Sequence, residues 1–221
     1  MPHVGPNPGA GGGGPYWCGF FVQAPWRTYV NYNDPRLIEK YYSQMKEWFK
    51  YVDKYTVDGL LKRWPDTKYR DWYLGDWLAP MGVDAGNQAS VDLVSNCFIS
   101  ECLSTMYKTA ITLGKREEAE EFAMRREKLN KLIHQTFYRE DEGIYSTGSQ
   151  LDMCYPMLVG VVPDSLYNKV KENVVAMTEE KYKGHIAVGL VGVPILTEWA
   201  VRNKQVDFFY QMMKKRDYPG Y

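Results

Sequence analysis

The chain has 221 residues, of which 45% are hydrophobic and 24% charged, the proportions of an ordinary globular protein with a buried core. Its 27 basic and 27 acidic residues balance, so no net field favours a polyanion and we expect no nucleic-acid partner. No stretch approaches the roughly 18 consecutive apolar residues that span a bilayer, so we expect no membrane span. The amino terminus lacks a signal-peptide pattern, which leaves the compartment open.

The four cysteines show no paired CxxC spacing, and two of them fall within one apolar helical pattern. This arrangement is typical of buried free thiols, and it favours neither a disulfide framework nor a metal site. We therefore expect no metal and no cofactor.

Apolar residues recur at helical spacing along the chain and predict helices that come in pairs. The first helix of each pair is apolar on most sides, whereas the second carries one apolar face between charges. In chain order the predicted helices cover residues 18–32 and 35–54, 91–113 and 115–138, 151–162 and 165–182, and 188–201 and 204–215. Four pairs of this kind predict an all-α domain over residues 1–221, with inner helices buried all round and outer helices exposed on one side. A helical solenoid is the structural alternative, but its repeats would keep a fixed length.

The connections within pairs are tight, whereas those between pairs are long and are expected to open on one rim of the ring. Binding sites commonly occupy such loops. One of them holds Gly75-Asp76-Trp77-Leu78-Ala79-Pro80, in which a carboxylate adjoins an indole. Indole faces beside carboxylates bind sugars, because the ring packs on C–H groups while the carboxylate accepts hydroxyl hydrogen bonds. The alternative is that the tryptophan fills the edge of the core.

Several stretches, in the order in which they occur, resemble the catalytic domain of bacterial α-L-rhamnosidases of glycoside hydrolase family 78. The Gly-Asp-Trp-Leu-Ala-Pro segment is the most specific of them. The others are the glycine-rich lead into Trp17, Ala24-Pro25-Trp26 with Tyr29, Asn33-Asp34, Tyr42, Met45 and Trp48, Leu113-Gly114-Lys115, Phe137-Tyr138, Gln150, and Tyr218-Pro219-Gly220.

The resemblance implies an (α/α)6 barrel, a six-hairpin toroid, of which this chain would hold about four inner and outer pairs. It also implies inverting hydrolysis of terminal α-L-rhamnose from a rhamnoside substrate, with one carboxyl group as acid and another as base. The family segments that carry those two groups do not occur here, so we expect an internal portion of a longer enzyme without an identifiable catalytic residue. Self-association through exposed flanks of the inner helices is then expected.

By the same resemblance, Trp17 and Trp77 are predicted to form aromatic walls of the rhamnose site, with Asp76 as a hydroxyl acceptor. His185 precedes an inner helix on the expected rim and is predicted to contact the substrate. Glu198 lies inside an apolar helix, where burial would raise its pKa. Two alternatives stay open: another (α/α)6 carbohydrate enzyme such as a lyase or epimerase, or a helical scaffold that binds carbohydrate or a partner without catalysis.

Overall fold

The computed structural model describes residues 14–63, 73–81 and 86–217. The glycine-rich lead before Gly14 and the Tyr218-Pro219-Gly220 segment lie outside these residues. The chain divides into two units, residues 1–73 with 98–132, and residues 74–97 with 133–221. Among the described helices, none is both long and apolar enough to cross a membrane.

The first unit begins with a short helix and a helical hairpin, which are followed by a small β-hairpin. Its elements are α1 (Pro15–Cys18), α2 (Phe20–Tyr32), α3 (Arg36–Asp53), β1 (Thr56–Val57) and β2 (Leu60–Leu61). The first unit also includes the carboxyl-terminal part of α4 (Gln88–Thr112) and most of α5 (Arg116–Phe137).

The second unit contains the amino-terminal part of α4, the end of α5 and every later element. These later elements are β3 (Tyr138–Arg139), β4 (Ile144–Tyr145), α6 (Gln150–Leu158), α7 (Asp164–Tyr182), α8 (Gly192–Arg202) and α9 (Val206–Met213). Helix α6 packs against α7 and α8, and α8 packs against α9. The predicted alternation of inner and outer helices is therefore present in this unit.

The turn between α2 and α3 shows why the sequence breaks there. Asn33 adopts a left-handed conformation with φ 52°, and the Asp34 carboxylate accepts a hydrogen bond from the Arg36 amide at 3.1 Å. Helical spacing predicts that the apolar face of α3 consists of Leu37, Tyr41, Met45, Trp48 and Val52. This prediction is correct at the last three of these positions. It is wrong at Leu37 and Tyr41, which are exposed, because the buried stripe runs through Ile38, Tyr42 and Phe49 instead.

The prediction that inner helices are buried all round holds for α6 and for residues 90–103 of α4, whereas Tyr107 and Ile111 near the end of α4 are exposed. Helix α6 buries every residue except Leu158, and α4 buries an almost continuous run from Ser90 to Leu103. Helix α2 buries only Val22 and Pro25, and α8 buries one face. The prediction is wrong for α2 and α8, because each of them keeps apolar side chains on an exposed side.

The structure adds two β-hairpins: the first lies within a connection that the helical pattern left unassigned, and the second begins at Tyr138, the last residue of the predicted helix 115–138. In the first hairpin Val57 pairs with Leu60 across Asp58 and Gly59, both of which have positive φ (53° and 84°). An Asp-Gly pair between apolar residues is a strong signal for this turn type, so this hairpin was predictable from the sequence. In the second hairpin Tyr138 pairs with Tyr145.

All four cysteines are buried and free, which confirms the prediction. Burial raises the pKa of the Cys18 thiol to about 11, and it also raises the pKa values of the Cys102 and Cys154 thiols well above the usual value.

Candidate functional site in the loop before α8

The Asp76 carboxylate lies against the amino-terminal end of α8 and is 7% exposed. Its Oδ2 accepts a hydrogen bond from the Gly189 amide at 2.6 Å, and its Oδ1 accepts hydrogen bonds from the Val191 and Gly192 amides, each at 3.0 Å. Burial raises the pKa of Asp76, while these main-chain N–H groups oppose the rise. A carboxylate at this end of a helix is also favoured by the helix dipole.

These bonds complete the hydrogen bonding of the first turn of α8. The opening amides of a helix have no acceptor within the helix and need one from elsewhere. Asp76 supplies it for Val191 and Gly192, the Gly189 carbonyl supplies it for Val193 at 2.9 Å, and Pro194 has no N–H. The start of α8 is therefore capped by a residue that lies more than a hundred positions earlier in the chain.

The main chain of Trp77 is fixed to the same segment. Its carbonyl accepts a hydrogen bond from the Leu190 amide at 2.8 Å. A Cβ atom at Gly189 would lie 2.6 Å from the carbonyl carbon of Trp77 and 2.8 Å from the Ala79 amide nitrogen, closer than Cβ atoms occur in proteins. Only glycine at position 189 allows the two backbones to approach in this way.

The fixed backbone carries apolar side chains that face outward. The Trp77 side chain is 40% exposed, and Leu78 and Leu190 are exposed beside it. Leu78 has a positive φ of 64°, a strained conformation for a branched residue. A partly exposed indole on a fixed backbone is suited to stacking on the apolar face of a sugar.

His185 and Gln150 fix the other end of the 185–192 segment. The Gln150 side chain donates to the His185 carbonyl at 3.0 Å and accepts from the Ala187 amide at 2.8 Å. The His185 ring is 2% exposed, with its Nε2 3.2 Å from Oδ2 of Asp217. Hydrogen bonding to the His185 ring is one of the effects that lower the pKa of Asp217, after a main-chain hydrogen bond at Asp217 itself. The imidazole is therefore enclosed by the protein.

Asp152 is the main polar residue of this unit that sequence reasoning missed. Its side chain is fully buried and accepts hydrogen bonds from Ser90 Oγ and Thr147 Oγ1, each at 2.6 Å. Burial raises its pKa, and the Ser90 and Thr147 bonds oppose the rise. The available signal was Ser149-x-x-Asp152, a capping pattern in which Ser149 accepts the Asp152 amide at 3.1 Å.

Two residues singled out from the sequence, Trp17 and Glu198, lie outside the loop that holds Asp76. Trp17 lies in α1 of the first unit, is half-buried, and meets the Tyr16 ring edge-on at 6.4 Å between centroids. Its predicted role in sugar binding stays a prediction. The expectation of a buried Glu198 is wrong: its side chain is 51% exposed and forms an ion pair with Arg202 at 2.7 Å, because it lies on the exposed face of α8.

Inner and outer helices that alternate in pairs are the architecture of helical-hairpin domains. The family model for the bacterial alpha-L-rhamnosidase 6 hairpin glycosidase domain matches residues 1–221. The chain belongs to this family.

Curated relatives are similar in sequence over most of this chain. An α-L-rhamnosidase of Alteromonas sp. (strain LOR) is 24% identical over 204 residues, which are 89% of this chain and 21% of the relative. An α-L-rhamnosidase of Streptomyces avermitilis is 26% identical over 205 residues, which are 93% of this chain and 18% of the relative. The chain thus spans about a fifth of the length of the curated relatives it matches.

Solved structures share the fold. The α-L-rhamnosidase from Dictyoglumus thermophilum has a TM-score of 0.83 and 20% identity, covering 94% of this chain and 23% of that chain. The Streptomyces avermitilis enzyme, solved with L-rhamnose, has a TM-score of 0.74 and 21% identity, covering 90% of this chain and 18% of that chain. These likenesses confirm the predicted all-α, (α/α)6 fold class.

Proposed function

We propose that this chain supplies helical scaffold and sugar-binding surface to an inverting α-L-rhamnosidase that removes terminal α-L-rhamnose from glycans or glycosides. The observation that carries this proposal is the match of the rhamnosidase family model to all of residues 1–221. The named activity of the curated relatives supports it, as does the L-rhamnose bound to the Streptomyces avermitilis neighbour. The acid and the base would come from segments that carry the family's carboxylates and do not occur among residues 1–221.

Within this proposal the Trp77 side chain contacts the sugar. Its support is local: the side chain is 40% exposed, and its carbonyl is hydrogen bonded to the Leu190 amide. An aromatic ring held in this way loses little conformational entropy when a sugar stacks on it. No charged partner and no metal ion is required for such a contact.

The test is hydrolysis of a nitrophenyl α-L-rhamnoside by the full-length gene product, with the anomer of the released sugar followed by NMR. We expect the inverted anomer to appear first. Trp77→Ala should lower kcat/KM about tenfold, the value of one lost stacking contact. Tyr210→Ala, which removes an exposed aromatic ring from the outer helix α9, is the matched control and should leave kcat/KM unchanged. Absence of hydrolysis, or equal effects of the two variants, would contradict the proposal.

We also propose that the exposed flanks of α2 and α8 pack against further protein, either more of the same polypeptide or a second copy. Val30 and Tyr32 on α2 are 57% and 78% exposed, and Val201 on α8 is 59% exposed. Light scattering on the 221-residue chain should detect species larger than one chain, and a well-behaved monomer would count against this proposal.

Because the charges balance, we expect no nucleic-acid partner.

A further inference from the structure

The hydrogen bonds of Asp76 leave its carboxylate little capacity to bind a sugar. An ionised carboxylate has about four acceptor positions. The Asp76 carboxylate accepts hydrogen bonds from the amides of Gly189, Val191 and Gly192, and a hydrogen bond with the main chain of Trp77 also lowers its pKa. With 7% of the residue exposed, hydroxyl groups of a ligand would have to displace these bonds.

The hydrogen bonds of Asp76 also restrain the backbone of Trp77, the next residue in the chain. The amides of residues 189 and 190 bind Asp76 Oδ2 and the Trp77 carbonyl in turn, so the two residues are held by consecutive N–H groups. The Leu78 backbone that follows has a positive φ, a conformation that a leucine adopts when its surroundings impose it. Release of Asp76 would therefore free the backbone that sets the direction of the Trp77 indole.

Resting on the proposed function, we propose that Asp76 is a positioning residue that fixes the Trp77 indole for sugar stacking, and that it does not bind the sugar hydroxyls itself. The carboxylate does this by joining the 76–78 backbone to the amino end of α8. The sugar-binding energy then comes from the indole face.

The experiment compares Asp76→Asn with Asp152→Asn in the full-length gene product labelled with fluorotryptophan. In Asp76→Asn, an amide nitrogen replaces an acceptor oxygen, so either the Gly189 amide or the Val191 and Gly192 amides lose an acceptor. Asp152→Asn removes an acceptor from another buried carboxylate of the same unit, one whose side chain accepts hydrogen bonds from Ser90 and Thr147. The fluorine resonance of Trp77 is identified by its loss in Trp77→Phe.

We expect Asp76→Asn to shift and broaden the Trp77 resonance and to raise KM for the nitrophenyl rhamnoside about tenfold, with kcat within about twofold of wild type. Asp152→Asn should change neither the resonance nor KM. Gly189→Ala, which displaces the Trp77 carbonyl and leaves the carboxylate in place, should shift the resonance as Asp76→Asn does, and it provides the comparison if Asp76→Asn does not fold.

An unchanged Trp77 resonance in Asp76→Asn overturns the inference, and so does an equal change in Asp152→Asn. A fall in kcat with KM and the resonance unchanged also overturns it, because that pattern marks a contact made in the transition state. Wild-type protein without rhamnosidase activity overturns the proposed function instead, and the fluorine comparison still decides the role of Asp76.

Discussion

Gly189→Ala tests how closely the Trp77 loop approaches the segment before α8. The added Cβ would lie 2.6 Å from the Trp77 carbonyl carbon and 2.8 Å from the Ala79 nitrogen, and nearer still to the Trp77 carbonyl oxygen. These are backbone atoms, so the loop must move. Overpacking of this kind costs about 1–3 kcal/mol, and weakening the two hydrogen bonds that residues 189 and 190 donate adds about 1–3 kcal/mol. We expect the free energy of unfolding to fall by about 3 kcal/mol or more.

Urea unfolding followed by circular dichroism measures this change. Gly114→Ala is the matched control: Gly114 has a φ of 72° but nothing within 4 Å of an added Cβ. It should cost about 1 kcal/mol, from backbone conformation alone. A Gly189→Ala variant as stable as Gly114→Ala would refute the close approach of the two backbones.

Four further predictions follow from burial and charge. The four buried thiols should not react with a disulfide reagent near neutral pH in the folded protein and should all react after unfolding, and rapid labelling of the native protein would contradict their burial. Asp152→Ala should lower the free energy of unfolding by about 2–4 kcal/mol because Ser90 and Thr147 lose a buried acceptor, and a loss below about 1 kcal/mol would argue against that network. Glu198→Ala should change it by less than about 0.5 kcal/mol, since its ion pair is exposed, and a larger loss would show that the side chain is buried. Hydrogen bonding to Arg36 lowers the pKa of Asp34 from 3.8 to about 2. The Asp34–Arg36 ion pair therefore stabilises the fold above the unfolded pKa of Asp34, and this stabilisation is lost as pH falls through about 2. In the variant R36A, an NMR titration should show the pKa of Asp34 returning toward 3.8.

Local patterns were sufficient to predict the helices, because periodicity and turn residues act over a few positions. The Asn33-Asp34-Pro35 turn and the stop at Gly114 were predictable in this way, and both lie at observed helix ends. The predicted stripe on α3 was one residue out of register at Leu37 and Tyr41, since each is followed directly by another apolar or aromatic residue, Ile38 or Tyr42, and it is this second residue that is buried. Periodicity alone does not choose between two adjacent apolar faces.

The role of Asp76 was beyond local prediction. The sequence places a carboxylate beside an indole, a pattern that equally indicates a sugar contact. A capping role for Asp76 is distinguished from a sugar contact by its hydrogen bonds to main-chain amides 113 to 116 residues away, at the start of α8. Contacts at that separation leave no periodic signal, whereas the Asp58-Gly59 hairpin and the Ser149-x-x-Asp152 cap did leave local signals.

Hydrolysis of a nitrophenyl α-L-rhamnoside by the full-length gene product, measured for wild type and for Trp77→Ala, tests the central claim most directly. The account predicts wild-type turnover with release of the inverted sugar and about a tenfold loss of kcat/KM in the variant. Turnover that is unaffected by Trp77→Ala would contradict the sugar-binding role of the loop, and no turnover at all would contradict the proposed activity.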